Sequence, residues 1–146
     1  MQPDEPTPGT PQHWLARAAG HLAFARQAKP SLAFWEDLAF HAQQAAELAI
    51  KAVYQQHGLP FHFTHDIADL GTGLEEGGIA VPDSLKDAAV LTRYAVQARY
   101  PGASPPVTEE EHKEAVRLAS LVVAWAKEVV EARTGGAAED CGTVGT

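Results

Sequence analysis

The sequence has a single cysteine, Cys141, in 146 residues. A disulfide framework is therefore excluded, and a reducing, cytoplasmic setting is the expectation. No apolar run reaches the roughly 20 residues that span a bilayer, and no basic n-region leads into an apolar stretch at the N-terminus, so no membrane partner is expected. Excess positive charge is also missing. The formal net charge is −8, with 11 Lys and Arg against 19 Asp and Glu. Asp4, Glu5, Glu139 and Asp140 fall in the expected terminal segments, which still leaves the remainder acidic. Such a domain cannot hold nucleic acid by overall charge and needs a local basic pocket to bind an anion. There is no alternating strand pattern, no internal repeat, no phosphate-cradling glycine loop and no GxSxG turn. The glycines of "GTGLEEGG" precede no strand–helix unit and read as a loop.

What is present is helical periodicity. Residues 1–11, rich in proline, are expected as a disordered N-terminal segment, residues 12–134 as one helical domain and residues 135–146 as a flexible C-terminal tail. Thr10-Pro11 signals a helix start, followed by Trp14, Leu15, Ala18, Leu22 and Ala25 at helical spacing. Pro30 stops this helix and Ser31 is placed as the cap of the next, which runs to about His57. Its stripe of Leu38, Ala42, Ala45, Ala49 and Val53, apolar over most of the circumference, marks a central element. Thr64 is expected to cap a short helix, "THDIADL". Pro82-Asp83-Ser84 opens a further helix with Leu85, Ala88, Ala89, Leu91 and Ala95 inward, ending near Tyr100-Pro101. Thr108 to Glu111 reads as a capping box before a last helix with Ala115, Leu118, Val122, Trp125 and Val129 on one face. The fold class is all-α: an antiparallel helical bundle of four long helices plus one short helix.

Three clusters carry potential chemistry. In the second helix, His41, Gln44, Leu48, Lys51 and Gln55 share a stripe. They could bind a phosphate or base, or form an ordinary amphipathic edge with Glu47 and Lys51 paired at i,i+4. His57, His62, His65 and Asp66 are potential metal ligands, but their spacing is loose. Thr64 as a cap with Asp66 in the first turn explains two of them structurally, so no metal or other cofactor is assigned. In "RYAVQARYPG", Arg93, Gln97 and Tyr100 lie on one face if the helix persists, with Arg99 beside the Pro-Gly stop. Guanidiniums near a helix end suit a phosphorylated ligand. They equally suit ion pairs with acidic residues of neighbouring helices.

The phrases "WLARAAGHLAFA", "FHAQQAAELAIKA", "THDIADL", "TRYAVQARYPG" and "TEEEHKEAVRLASLVVAW", in this order over about residues 12–130, resemble the HEPN domain family. The resemblance implies an all-α bundle, a homodimer, and pairing with a minimal nucleotidyltransferase encoded alongside. Many members are ribonucleases whose signature is an Arg, four to six residues, then a His, with a Tyr two residues further in one branch. Arg93 matches the Arg and Tyr100 the Tyr, but Ala98 stands where the His belongs, so no catalytic residue is assigned. The reading is a non-catalytic member that binds a nucleotide or a nucleotidyltransferase partner in a two-component toxin–antitoxin or stress-response system. The expected ligand-binding residues are Arg93, Arg99, Tyr100, His41, Gln44, Lys51 and His65. The alternatives are a metal-independent ribonuclease with another base, and a structural helical adaptor. The nearly all-round apolar second helix adds its own reason to expect a dimer.

Overall fold

A computed structural model of the chain describes residues 6–61, 63–102 and 104–144. Residues 1–5 and 145–146 of the expected terminal segments, and His62, lie outside the described residues. Among the described residues every element is helical: α1 (Pro11–Arg26), α2 (Trp35–Gln56), α3 (Ile67–Glu76), α4 (Asp83–Asp87), a 3-10 turn (Ala88–Leu91), α5 (Thr92–Gln97) and α6 (Glu109–Val144). The helical backbone of α6 thus continues into residues placed by sequence in the tail. No helix among the described residues is long and apolar enough to cross a membrane.

The local stop and start signals explain most boundaries. The Thr10 side chain accepts the His13 backbone N–H, and Pro11 occupies the first helical turn. Thr108 and Glu111 exchange two backbone-to-side-chain bonds, 3.0 and 3.1 Å, as a capping box does. At the end of α2, Gly58 takes φ of +65°. Its N–H reaches Gln55 O, and Leu59 N–H reaches Tyr54 O. This left-handed closure satisfies carbonyls that would otherwise be orphaned. Two expected caps are displaced. α2 starts at Trp35 rather than after Ser31, because the Asp37 carboxylate accepts the Phe34 N–H and fixes the first turn there. α3 is capped by Asp66, whose carboxylate accepts the Asp69 N–H, while Thr64 accepts the Asp66 N–H one step earlier.

The fourth expected helix is continuous in register but segmented. Leu85, Ala88 and Leu91 are all buried at a spacing of three. A 3-10 turn, with three residues per turn, brings that spacing onto one line. Beyond Gln97 the chain makes a tight turn, with Arg99 N and Tyr100 N both bonded to Val96 O, and Gly102 turns it away at φ of +85°. The helix therefore does not persist through Tyr100.

α2 is the central element. α1 and α6 pack along it, and α3 and α5 cover its remaining sides. Ala39, Ala42, Ala45, Ala46, Ala49 and Ala52 are fully buried. Small side chains on so much of one helix let its neighbours approach closely on every side. The apolar circumference of α2 is therefore consumed within one chain, which removes it as an argument for a dimer. His112, buried at the start of α6, is bonded through Nε2 to Ala25 O at 2.7 Å. That bond joins the end of α1 to the beginning of α6.

Candidate functional site

The seven residues singled out by sequence fall into three places. The first is a polar network inside the bundle. Gln43, Glu47 and Lys51 recur every four residues along α2 and are 0%, 3% and 7% exposed. Glu47 is the hub. Its Oε1 accepts from Gln43 Nε2 at 2.9 Å and meets His65 Nδ1 at 2.9 Å, and its Oε2 accepts from Lys51 Nζ at 2.8 Å. Gln43 also donates to His65 O at 3.3 Å, and Gln44 Nε2 donates to Gln43 Oε1 at 2.8 Å. The Lys51 ammonium lies 5.3 Å from the centre of the Phe61 ring, a favourable face for a cation. This network clamps the segment before α3 onto α2. Ile67 N–H then donates to Thr92 Oγ1 at 3.0 Å, which ties the same segment to the residue before Arg93. Gln44, Lys51 and His65 are thus brought together, through Gln43 and Glu47. Lys51 is spent on an internal pair and does not form part of a solvated binding stripe.

Burial alone would raise the pKa of Glu47, but the donors from Lys51, Gln43 and His65 outweigh it and the carboxyl is held below its ordinary value. A depressed carboxyl contributes stability that is present above its unfolded-state pKa and is lost as pH falls through the folded one. Acidification below the ordinary glutamate range, about 4 to 4.5, is therefore expected to lower the unfolding free energy. Denaturant titrations between pH 6 and pH 3 check this. A chain carrying Glu47→Leu with Lys51→Met should show a shallower decline, and an unchanged slope would refute the assignment.

The second place is the α1–α2 seam. His41 does not join the network. It faces His21 of α1, with the two Nδ1 atoms 3.0 Å apart, and the Phe24 ring stacks on it at 5.1 Å.

The third place is the end of α5. Arg93 Nη2 donates to Tyr94 Oη at 2.8 Å and to Glu111 Oε2 at 2.9 Å, and the guanidinium lies over the Tyr94 ring. The pairing with an acidic residue of a neighbouring helix, open from sequence, therefore holds for Arg93. Arg99 and Tyr100 differ. Both are exposed, Tyr100 by 63%, and neither side chain has a hydrogen bond or ion pair among the described residues. Ala98 is half-buried between them and Gln97. Gln97 Oε1 is buried and has no hydrogen-bond partner among the described residues.

The loose His and Asp cluster has separate tasks. His57 Nδ1 meets Val53 O, His65 meets Glu47, and Asp66 caps α3. Sequence reasoning missed Gln43 and His21, and gave Glu47 and Glu111 only structural parts. The signal for the network was available: Gln43, Glu47 and Lys51 at i, i+4 and i+8 in a stretch, residues 42–53, that apart from Gln44 is otherwise Ala, Leu, Ile and Val.

The family model for the HEPN domain matches residues 11–129. Among solved structures, an archaeal HEPN homologue is similar to this chain, with a TM-score of 0.66 and 26% sequence identity, covering 83% of this chain and 98% of its own. No curated protein matches.

Proposed function

This chain belongs to the HEPN domain family, and on that premise we propose that it is a non-catalytic member that acts by binding. Its ligand is a nucleotide phosphate or an RNA backbone. Its protein partner is a minimal nucleotidyltransferase, in a two-component system of the toxin–antitoxin or stress-response kind. The observation that carries this reading is the end of α5. A methyl group, Ala98, fills the position where the family's ribonucleases carry an imidazole, whereas Arg93, Arg99 and Tyr100 of the same frame remain. An acid–base group supplies about 10²–10⁴-fold in rate, so a site without one can hold a phosphate but transfers protons poorly. Self-association as a homodimer is part of the same proposal and rests on the family alone.

One observation favours the ribonuclease alternative. Glu47 orients His65 through Nδ1, and half of the His65 side chain is exposed. A carboxylate-held, half-exposed imidazole is the arrangement of a general base. Incubation of a short single-stranded RNA with the protein in the presence of EDTA separates the two. The binding reading expects no cleavage by wild type and a weak activity gained in Ala98→His. Robust cleavage by wild type that disappears in Arg93→Ala and His65→Gln would replace it with the second reading.

A further inference from the structure

We propose that His21 on α1 and His41 on α2 form a bidentate imidazole site for a divalent transition-metal ion of the zinc, nickel or copper class. The site stands apart from α5 and does not depend on the ligand assigned there.

The argument begins with the two nitrogens. Nδ1 of His21 and Nδ1 of His41 are 3.0 Å apart, with the ring centres 5.2 Å apart and 27° between planes, so the two rings meet edge to edge through these nitrogens. Only one proton fits between two such nitrogens, so one ring donates and the other accepts. Metal–nitrogen bonds of about 2.0–2.1 Å in tetrahedral geometry place two ligand nitrogens about 3.3 Å apart. A few tenths of an ångström between the nitrogens, with a tilt of the rings that turns both lone pairs off the N···N line toward one point, therefore converts the shared-proton pair into a chelate. The ion takes the place of that proton, which the donor ring exchanges through solvent for one on its own Nε2, so that both rings end as neutral Nε2–H tautomers with no net proton released. Water completes the coordination.

The rings are already held for this. His41 meets His21 at its Nδ1 edge, with the Phe24 ring stacked on it at 5.1 Å and Phe40 edge-on at 5.8 Å. Each His is on a packed helix, so little rotamer freedom remains to be lost on binding. Burial lowers the pKa of both imidazoles, with Arg17 adding to the effect at His21. Both rings are thereby biased toward the neutral form, which a metal requires. The charged groups around the pair are Arg17 on α1, which opposes a cation, and Asp37 and Glu47 on α2, which favour one. Imidazole ligands suit zinc, copper and nickel and are poor for magnesium or calcium.

The test uses the full chain, stripped with a chelator and titrated with Zn²⁺ or Ni²⁺ by calorimetry and by thermal unfolding. The expected result is one ion per chain at these residues and a rise in melting temperature, because the ion fastens α1 to α2 only in the folded state. His21→Ala and His41→Ala should each weaken binding by at least about tenfold, since even indirect supports of a metal ligand cost 10–100-fold. His57→Ala should leave it unchanged. Ring-nitrogen NMR of the unmutated protein gives an answer free of folding effects: the Nδ1 resonances of His21 and His41 should move together on adding Zn²⁺. No binding by wild type, resonances of these two rings that stay fixed, or full affinity in the double alanine variant would overturn the proposal and leave a hydrogen-bonded pair only.

Discussion

Replacing Glu47 with alanine is expected to be the most damaging single polar substitution in this chain, costing about 3–5 kcal/mol of unfolding free energy. Removing the carboxylate does more than delete three hydrogen bonds. It leaves the Lys51 ammonium, 7% exposed, without its counter-charge, and the Gln43 amide, fully buried, with only the longer bond to His65 O at 3.3 Å. It also releases His65, and with it the segment that meets Thr92 through Ile67. A domain whose total stability is on the order of 5–15 kcal/mol would lose a large fraction of it. The Phe61 face over Lys51 offsets part of the loss but supplies no hydrogen bond. Removing both charges, as Glu47→Leu with Lys51→Met, should recover most of the stability, because a buried pair replaced by apolar groups of similar volume is often neutral. Denaturant unfolding of wild type, Lys51→Met, Glu47→Ala and the double variant decides it. If Glu47→Ala costs less than about 1 kcal/mol, the network is not holding α2 to the segment before α3. The same substitution tests function indirectly, since α5 is joined to this region through the Ile67–Thr92 bond and by its own packing on α2.

The second large effect is expected on ligand affinity at α5. Arg99 has no partner among the described residues, so its guanidinium is free to meet a phosphate. Arg93 is already joined to Glu111 and Tyr94 through Nη2, which leaves its other N–H groups as donors in a fixed orientation. Charge-assisted hydrogen bonds contribute roughly 1.5–3 kcal/mol each. Removing both arginines should therefore weaken ATP or single-stranded RNA binding by about a hundredfold or more, with the larger share from Arg99. Glu111→Gln should do the opposite. It keeps an acceptor near Arg93 while removing a negative charge from the site, and a gain of about two- to threefold is expected for a pair so exposed. Calorimetric titration of both ligands into wild type, Arg93→Ala, Arg99→Ala, the double variant and Glu111→Gln reads all of this. Equal affinity throughout, or no binding by wild type, would return these arginines to a structural role or to a protein interface.

The elements that could be read without the structure are those whose cause lies within a few residues. Thr10-Pro11, the Thr108–Glu111 box and the glycine at position 58 act on backbone groups one turn away, so their effect does not depend on what packs nearby. The central place of α2 was legible for a related reason: alanine and leucine over most of a helix leave it nowhere to sit but inside. The absence of a histidine at position 98 is likewise a fact of the sequence, and no packing changes it. What needed the tertiary structure was every choice settled by a distant neighbour. Whether residues 83–97 form one helix or α4, a 3-10 turn and α5 depends on how Leu85, Ala88 and Leu91 meet the core. Whether Lys51 faces solvent or Glu47 depends on the segment around His65 closing over it, and His41 finds its partner twenty residues back in α1 because the two helices pack antiparallel. Arg93 could have faced a ligand or an acid, and only the approach of α6 beside α5 put Glu111 within 2.9 Å. Caps and hydrophobic periodicity act over one or two turns of chain, whereas ion pairs and imidazole contacts form between groups that folding alone brings together.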